Sequence, residues 1–138
     1  MMKKLLVPVD GSKSSDKAVN YACSIAKKYE SRITLLCVVS PPIMLGVEAG
    51  IIDYRPLEES GHNVLKNTTK IAESLGLEAS TRLETGQVAD TIINIAREES
   101  SDLIVIGSRG LSGAKRFLLG SISNSVSHHA ECPVLIVR

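Results

Sequence analysis

"DLIVIGSRGLSGAKRFLLGSISNSV", residues 102–126, decides how the chain is read. Its first part, "DLIVIG" (102–107), is a short apolar run, as a strand covered on both faces would be. Its middle holds Gly107, Gly110 and Gly113, with Ser108, Ser112, Arg109, Lys115 and Arg116 among them. Its last part opens at Gly120 and reads as a helix start, with Ile122 and Val126 expected to face inward. A chain does not need so much glycine to turn a corner. The run therefore reads as strand, shaped loop and helix, the local unit of an open α/β sheet.

Working outward, the same alternation covers the rest of the chain. "KLLVPVD" (4–10) is an apolar run closed by Asp-Gly and predicts the first strand. Ala18, Ala22, Ile25, Ala26 and Tyr29 recur at helical spacing and predict a helix over 13–29. Ser12 is placed to cap it, and Asp16 falls in its first turn, where the helix dipole favours an anion. "RITLLCVV" (32–39) predicts a second buried strand. A second helix is expected over 56–75, with an inner stripe of Leu57, Val64, Leu65, Thr68, Ile71, Ala72 and Leu75, closed by Gly76. "LEASTRLET" (77–85) alternates like a half-exposed edge strand. Val88, Ile92, Ile95 and Ala96 mark a third helix, and "PVLIVR" (133–138) a fifth strand. The segment 40–56 is too long for a tight connection. Its Ile43, Met44 and Leu45 could pack on the sheet, cover a ligand or meet another protein, and packing is the ordinary expectation for apolar residues.

Strand and helix in steady alternation predict a doubly wound parallel α/β sheet of five strands, flavodoxin-like or Rossmann-like, with helices on both faces. At 138 residues the chain suits one domain over 1–138 that buries about two thirds of its unfolded surface. The formal net charge of +1 gives no reason to expect nucleic acid or an anionic membrane as partner. One Phe, three Tyr and no Trp are too few for a base-stacking platform. No apolar run reaches the length of a membrane span. "MMKKLLVPVDGS" is interrupted by Pro8, Asp10 and Gly11 too early for a signal peptide. Cys23, Cys37 and Cys132 are odd in number and far apart, and read as buried free thiols in a reducing cytoplasm.

Ligands of such sheets bind at the carboxyl ends of strands, where the strand order reverses. Two strand ends carry unusual chemistry: "VPVDGS" after the first and the glycine loop after the fourth. If those strands are neighbours, both line one crevice. A phosphate wants several N–H donors converging at short range. Glycine allows close backbone approach, a helix N-terminus adds unpaired N–H groups, and the Ser121 and Ser123 hydroxyls can donate. The competing reading is a flexible Gly-Ser loop with Ser121 as a helix cap. Asp10 has two readings as well, a ligand contact or an Asp-Gly turn. Arg109 and Lys115 could add charge to a phosphate site, but solvated loop cations are the ordinary expectation, and His128 and His129 read as favourable charges near a helix C-terminus. Neither G-x-x-x-x-G-K-[ST] nor G-x-G-x-x-G after the first strand is present, and G-x-S-x-G is absent too.

The spacing from Gly107 to Gly110, and from there over nine residues to Gly120 and Ser121, resembles the nucleotide-binding motif of the universal stress protein (UspA-like) family, in its ATP-binding branch. "LLVPVDGS" and "CPVLIV" resemble that family's first and last strands, and the resemblance covers the whole chain. It implies a five-stranded parallel sheet in the order 3-2-1-4-5, of the adenine nucleotide alpha-hydrolase-like kind. It implies an adenine nucleotide, ATP or AMP, in the crevice, with Mg2+ arriving through the phosphates. Pro8, Val9 and Asp10 then border adenine and ribose, and the backbone of Val39 meets the adenine. Ile106 and Gly107 lie beside the ribose, and Gly110, Gly120, Ser121, Ile122 and Ser123 cradle the phosphates. The family pattern also implies a cytoplasmic homodimer through the strand at 133–138, acting on a protein partner the sequence does not name. No catalytic constellation stands at a motif position, so the chain reads as a nucleotide-binding regulator. A slow ATPase or autophosphorylating protein, with Ser108, Ser121 or Ser123 as acceptor, is the alternative, and a nucleotide-free interaction dimer is the third.

Overall fold

The computed structural model describes residues 2–40, 53–109 and 121–138. The element order is β1 (Lys4–Pro8), α1 (Lys13–Tyr29), β2 (Arg32–Val39), α2 (Arg55–Ser74), β3 (Ala79–Thr85), α3 (Val88–Glu98), β4 (Leu103–Gly107), α4 (Ser121–His129) and β5 (Val134–Val137). All strand pairs are parallel, in the order β3-β2-β1-β4-β5. This is the predicted α/β sheet, with β3 at one edge and β5 at the other.

The strands alternate in the direction their side chains point, so β1, β2, β4 and β5 each send apolar residues to two faces. Leu5, Val7, Leu35 and Val105 pack with Ala18, Val19 and Ala22 of α1 and Leu65 and Ala72 of α2. Leu6, Leu36, Ile104 and Ile106 pack with Ile92, Ile95 and Ala96 of α3 and Val126 of α4. The register Leu5↔Leu103 and Leu6↔Ile104 puts matching residues of β1 and β4 on matching faces.

Local chemistry sets the element ends. The Ser12 hydroxyl caps α1 by accepting the Ser15 N–H at 3.1 Å, and Asp16 stands in the first turn as expected. Gly76, at φ +80°, follows α2 and donates its N–H to the Glu73 carbonyl at 2.9 Å. The Asp102 carboxylate accepts the Lys3 and Lys4 N–H groups at 2.7 and 2.9 Å and so ties the start of β1 to that of β4. Those two backbone donors hold its carboxyl below the usual carboxylate range. On the β3 side the Arg82 guanidinium meets Glu84 at 2.6 Å, Glu99 at 2.9 Å and Glu98 at 3.5 Å, fastening α3 to the edge strand.

Several expectations need correction. Strand one ends at Pro8 rather than residue 10, because Asp10 begins a turn and Gly11 takes φ +83°. Val9 still donates to the Leu36 carbonyl at 2.8 Å. Strand three begins at Ala79 rather than residue 77, since Leu77 N–H closes the end of α2 on the Ala72 carbonyl. Tyr29 is exposed, as the last residue of α1 before the chain turns at left-handed Glu30. Leu57 is exposed because α2 first reaches the sheet at Gly61. Cys23 and Cys37 are buried, and burial pushes both thiols up, away from the reactive thiolate. Cys132 is only half-buried, on the short connection between α4 and β5. The readings of Gly110, Gly113, Lys115, Gly120 and the segment 41–52 lie outside the described residues.

Candidate functional site

From β1 the chain passes through α1 to β2 on one side, while β4 lies on β1's other side. The carboxyl ends of β1 and β4 diverge there, and a crevice opens between their connections. It is a cavity of about 450 Å³, a size that suits a small molecule.

The walls of the crevice differ in character. Toward β2 and α3 they are apolar, from Leu36, Val38, Val88 and Ile92, with Ser40 at the end of β2. The middle is Pro8, Val9 and Asp10 from the end of β1. Toward β4 and α4 they carry the polar groups of Ser108 and Arg109 after β4 and of Ser121 and Ser123 in the first turn of α4, set beside Gly107 and the apolar Ile106 and Ile122. The first N–H groups of a helix have no partner within it and carry partial positive charge. The crevice thus runs from an apolar wall to one of hydroxyls and a helix start.

Pro8, Val9, Asp10, Ile106, Gly107, Ser121, Ile122 and Ser123 all line this space. Gly110 and Gly120 lie outside the described residues. Val39 does not line it, whereas Val38 and Ser40 do. Val39 points to the other face, where its Cγ2 would stand 3.3 Å from a Cβ on Gly61 of α2. Its carbonyl accepts the Gly86 N–H at 3.0 Å. Ile122 was expected inward and is instead 38% exposed at the crevice rim. Ser123 and Val126, three residues apart, take the buried face of α4, which leaves Ile122 turned away.

Both readings of Asp10 have a counterpart in the geometry. Its Oδ1 accepts the Ser12 N–H at 2.9 Å, the turn contact, and the residue also lines the crevice. Its negative charge, second to burial, pushes the nearby Asp16 carboxyl up. Gly107 has a packing role that the spacing did not reveal. A Cβ there would stand 2.5 Å from Ser14 Oγ and 2.7 Å from the Ser14 carbonyl carbon. The first turn of α1 therefore rests directly on the end of β4.

Sequence reasoning missed Ser15, Leu36, Val38, Ser40, Val88 and Ile92 as lining residues, and Arg109, read as a solvated loop cation, lines the crevice as well. The β2 positions were within reach. Leu36, Val38 and Ser40 share one face by alternation, and Leu36 is the register partner of Pro8. Val88 and Ile92 carried no such signal, because the crossing of α3 over the sheet places them.

A doubly wound α/β protein with a small-molecule crevice at its switch point is the class these features define. The sequence pattern of the Universal stress protein family matches residues 1–138. Universal stress protein YxiE of Bacillus subtilis (strain 168) is 36% identical over 148 residues, with 100% of each chain covered. Universal stress protein UspA from Lactobacillus plantarum superposes with a TM-score of 0.81 at 25% identity, over 99% of this chain and 98% of that one. A universal stress protein solved in complex with cAMP gives a TM-score of 0.77 at 27% identity, over 99% of this chain and 97% of that one. The chain belongs to the universal stress protein family.

Proposed function

We propose that this protein is an adenine-nucleotide-binding regulatory module, one domain over residues 1–138, working as a cytoplasmic homodimer in the stress response. The observation that carries the reading is the polarity of the crevice. A nucleotide is apolar at its base and anionic at its phosphates, and the walls follow the same order. The base fits between Val38, Val88 and Ile92, the ribose beside Asp10 and Gly107, and the phosphates against Ser108, Ser121 and Ser123. The related protein solved with cAMP supports an adenine nucleotide as the ligand class. Among the described residues no group of three or more His, Cys, Asp or Glu could hold a metal ion. Mg2+, where it accompanies ATP, would enter on the phosphate oxygens.

Thermal denaturation with AMP, ATP, cAMP and GTP tests the reading. A ligand at one hundred times its dissociation constant adds about 2.7 kcal/mol, a rise of several degrees in Tm. Adenine nucleotides should give that rise and GTP a smaller one. No shift with any adenine nucleotide would contradict the proposal, and ADP or phosphoprotein accumulating from ATP would replace it with the enzymatic alternative.

The dimer reading rests on β5. Pro133 and Val137 carbonyls accept from Ile104 of β4 and from Ser108 just after it at 3.0 and 2.8 Å. Alternate residues of a strand direct their backbone groups to opposite sides, so Val134 and Ile136 aim theirs at the sheet's edge. Such an edge is a template for a second copy. Ile136→Pro removes an outward donor and spares the β4 ladder. The wild type should elute at the mass of a dimer in light-scattering chromatography and the variant at that of a monomer. A variant that stays dimeric would place the interface elsewhere.

A further inference from the structure

The loop that leaves β4 is fastened to the first turn of α1 at Arg109. The Arg109 N–H donates to Ser14 Oγ at 3.2 Å, and the Ser12 hydroxyl donates to the Arg109 carbonyl at 3.5 Å. Gly107 brings this about, because without a side chain it lets the Ser14 backbone close on the strand end. Ser12 is already occupied as the cap of α1 through the Ser15 N–H. Ser14 caps nothing, and its hydroxyl serves the Arg109 main chain. Ser14 does not line the crevice, whereas Gly107, Ser108 and Arg109 do.

We propose that Ser14 is a positioning residue for the phosphate side of the crevice. It fixes the backbone of Arg109, and with it the wall of Ser108 and Arg109, without touching ligand. The proposal rests on the adenine-nucleotide reading and deepens it: the first turn of α1 tunes affinity for the charged end of the ligand and not for the base. The apolar wall of Leu36, Val38, Val88 and Ile92 belongs to β2 and α3, which the Ser14 hydroxyl does not hold.

The test is Ser14→Ala, with dissociation constants for adenosine and AMP measured by titration calorimetry on wild type and variant. Alanine is a strong helix former at this first-turn position, so the variant should fold. Losing one positioned hydrogen bond should weaken AMP at least about 5-fold. Adenosine should stay within about 2-fold of wild type. Equal losses for both ligands, or no loss for AMP, would overturn the positioning role while leaving the nucleotide reading intact. Wild-type protein that binds neither ligand would overturn both. A merely structural serine would lower Tm without changing the ratio of the two affinities.

Discussion

Gly107→Ala should lower the stability of the protein by about 3 kcal/mol and its Tm by roughly 10 °C. Glycine-to-alanine in a strand is ordinarily mild or favourable, so the expected loss comes wholly from what the methyl meets. It would lie 2.5 Å from Ser14 Oγ, 2.7 Å from the Ser14 carbonyl carbon and 2.8 Å from its oxygen. Two of these are backbone atoms of a helical turn and cannot rotate aside, so β4 and α1 must move apart. That movement also stretches the Arg109 N–H bond to Ser14, and AMP affinity should fall with stability. Thermal denaturation and AMP titration of the variant measure the two effects. A variant that melts with the wild type would mean that the contact between α1 and β4 is looser than described.

Ile92→Ala should cost a similar amount, about 3 kcal/mol, for a different reason. Ile92 is fully buried in the cluster of α3, α4 and the β1–β2–β4 face, and it lines the apolar wall of the crevice. Truncation removes buried methyl groups and leaves a cavity that α3 can only partly close. Because the loss falls on the base side, affinity for adenosine and for AMP should drop by the same factor. Ser14→Ala should separate those two ligands and Ile92→Ala should not. Adenosine affinity unchanged in Ile92→Ala would remove the base from that wall.

What was legible beforehand follows the range of the interactions that decide it. The period-two and period-3.6 patterns are local, so element order, the Ser12 cap and the end of α2 at Gly76 could be read directly. Tyr29 and Leu57 sit at helical spacing and are nonetheless exposed, because periodicity identifies a face but not how far along the helix the sheet extends. Ile122 shows the same limit at the start of α4, where Ser123 takes the buried position. In the crevice, the residues on the ends of β1 and β4 stood in local motifs. Leu36, Val38 and Ser40 depended on the β1–β2 register, and Val88 and Ile92 on the placement of α3. Gly107 is the instructive case. Its place in a glycine loop suggested contact with a ligand, while its tightest neighbour is Ser14, 93 residues earlier in the chain.

The crevice is assembled from most elements of the fold. It draws on the ends of β1, β2 and β4, the first turns of α1 and α4, and one face of α3. Ser108 lies on its wall and donates its N–H to Val137 at the end of β5 at 2.8 Å. The polar side of the crevice and the edge strand β5 are therefore one hydrogen bond apart.

The most direct test of the central claim is an amide NMR titration of the protein with AMP. The account predicts shifts concentrated at Asp10, Val38 to Ser40, Gly107 to Arg109 and Ser121 to Ser123, with little change along α2. Saturable binding whose shifts fall outside the crevice, or no shifts at millimolar AMP, about the weakest affinity worth calling specific, would contradict it.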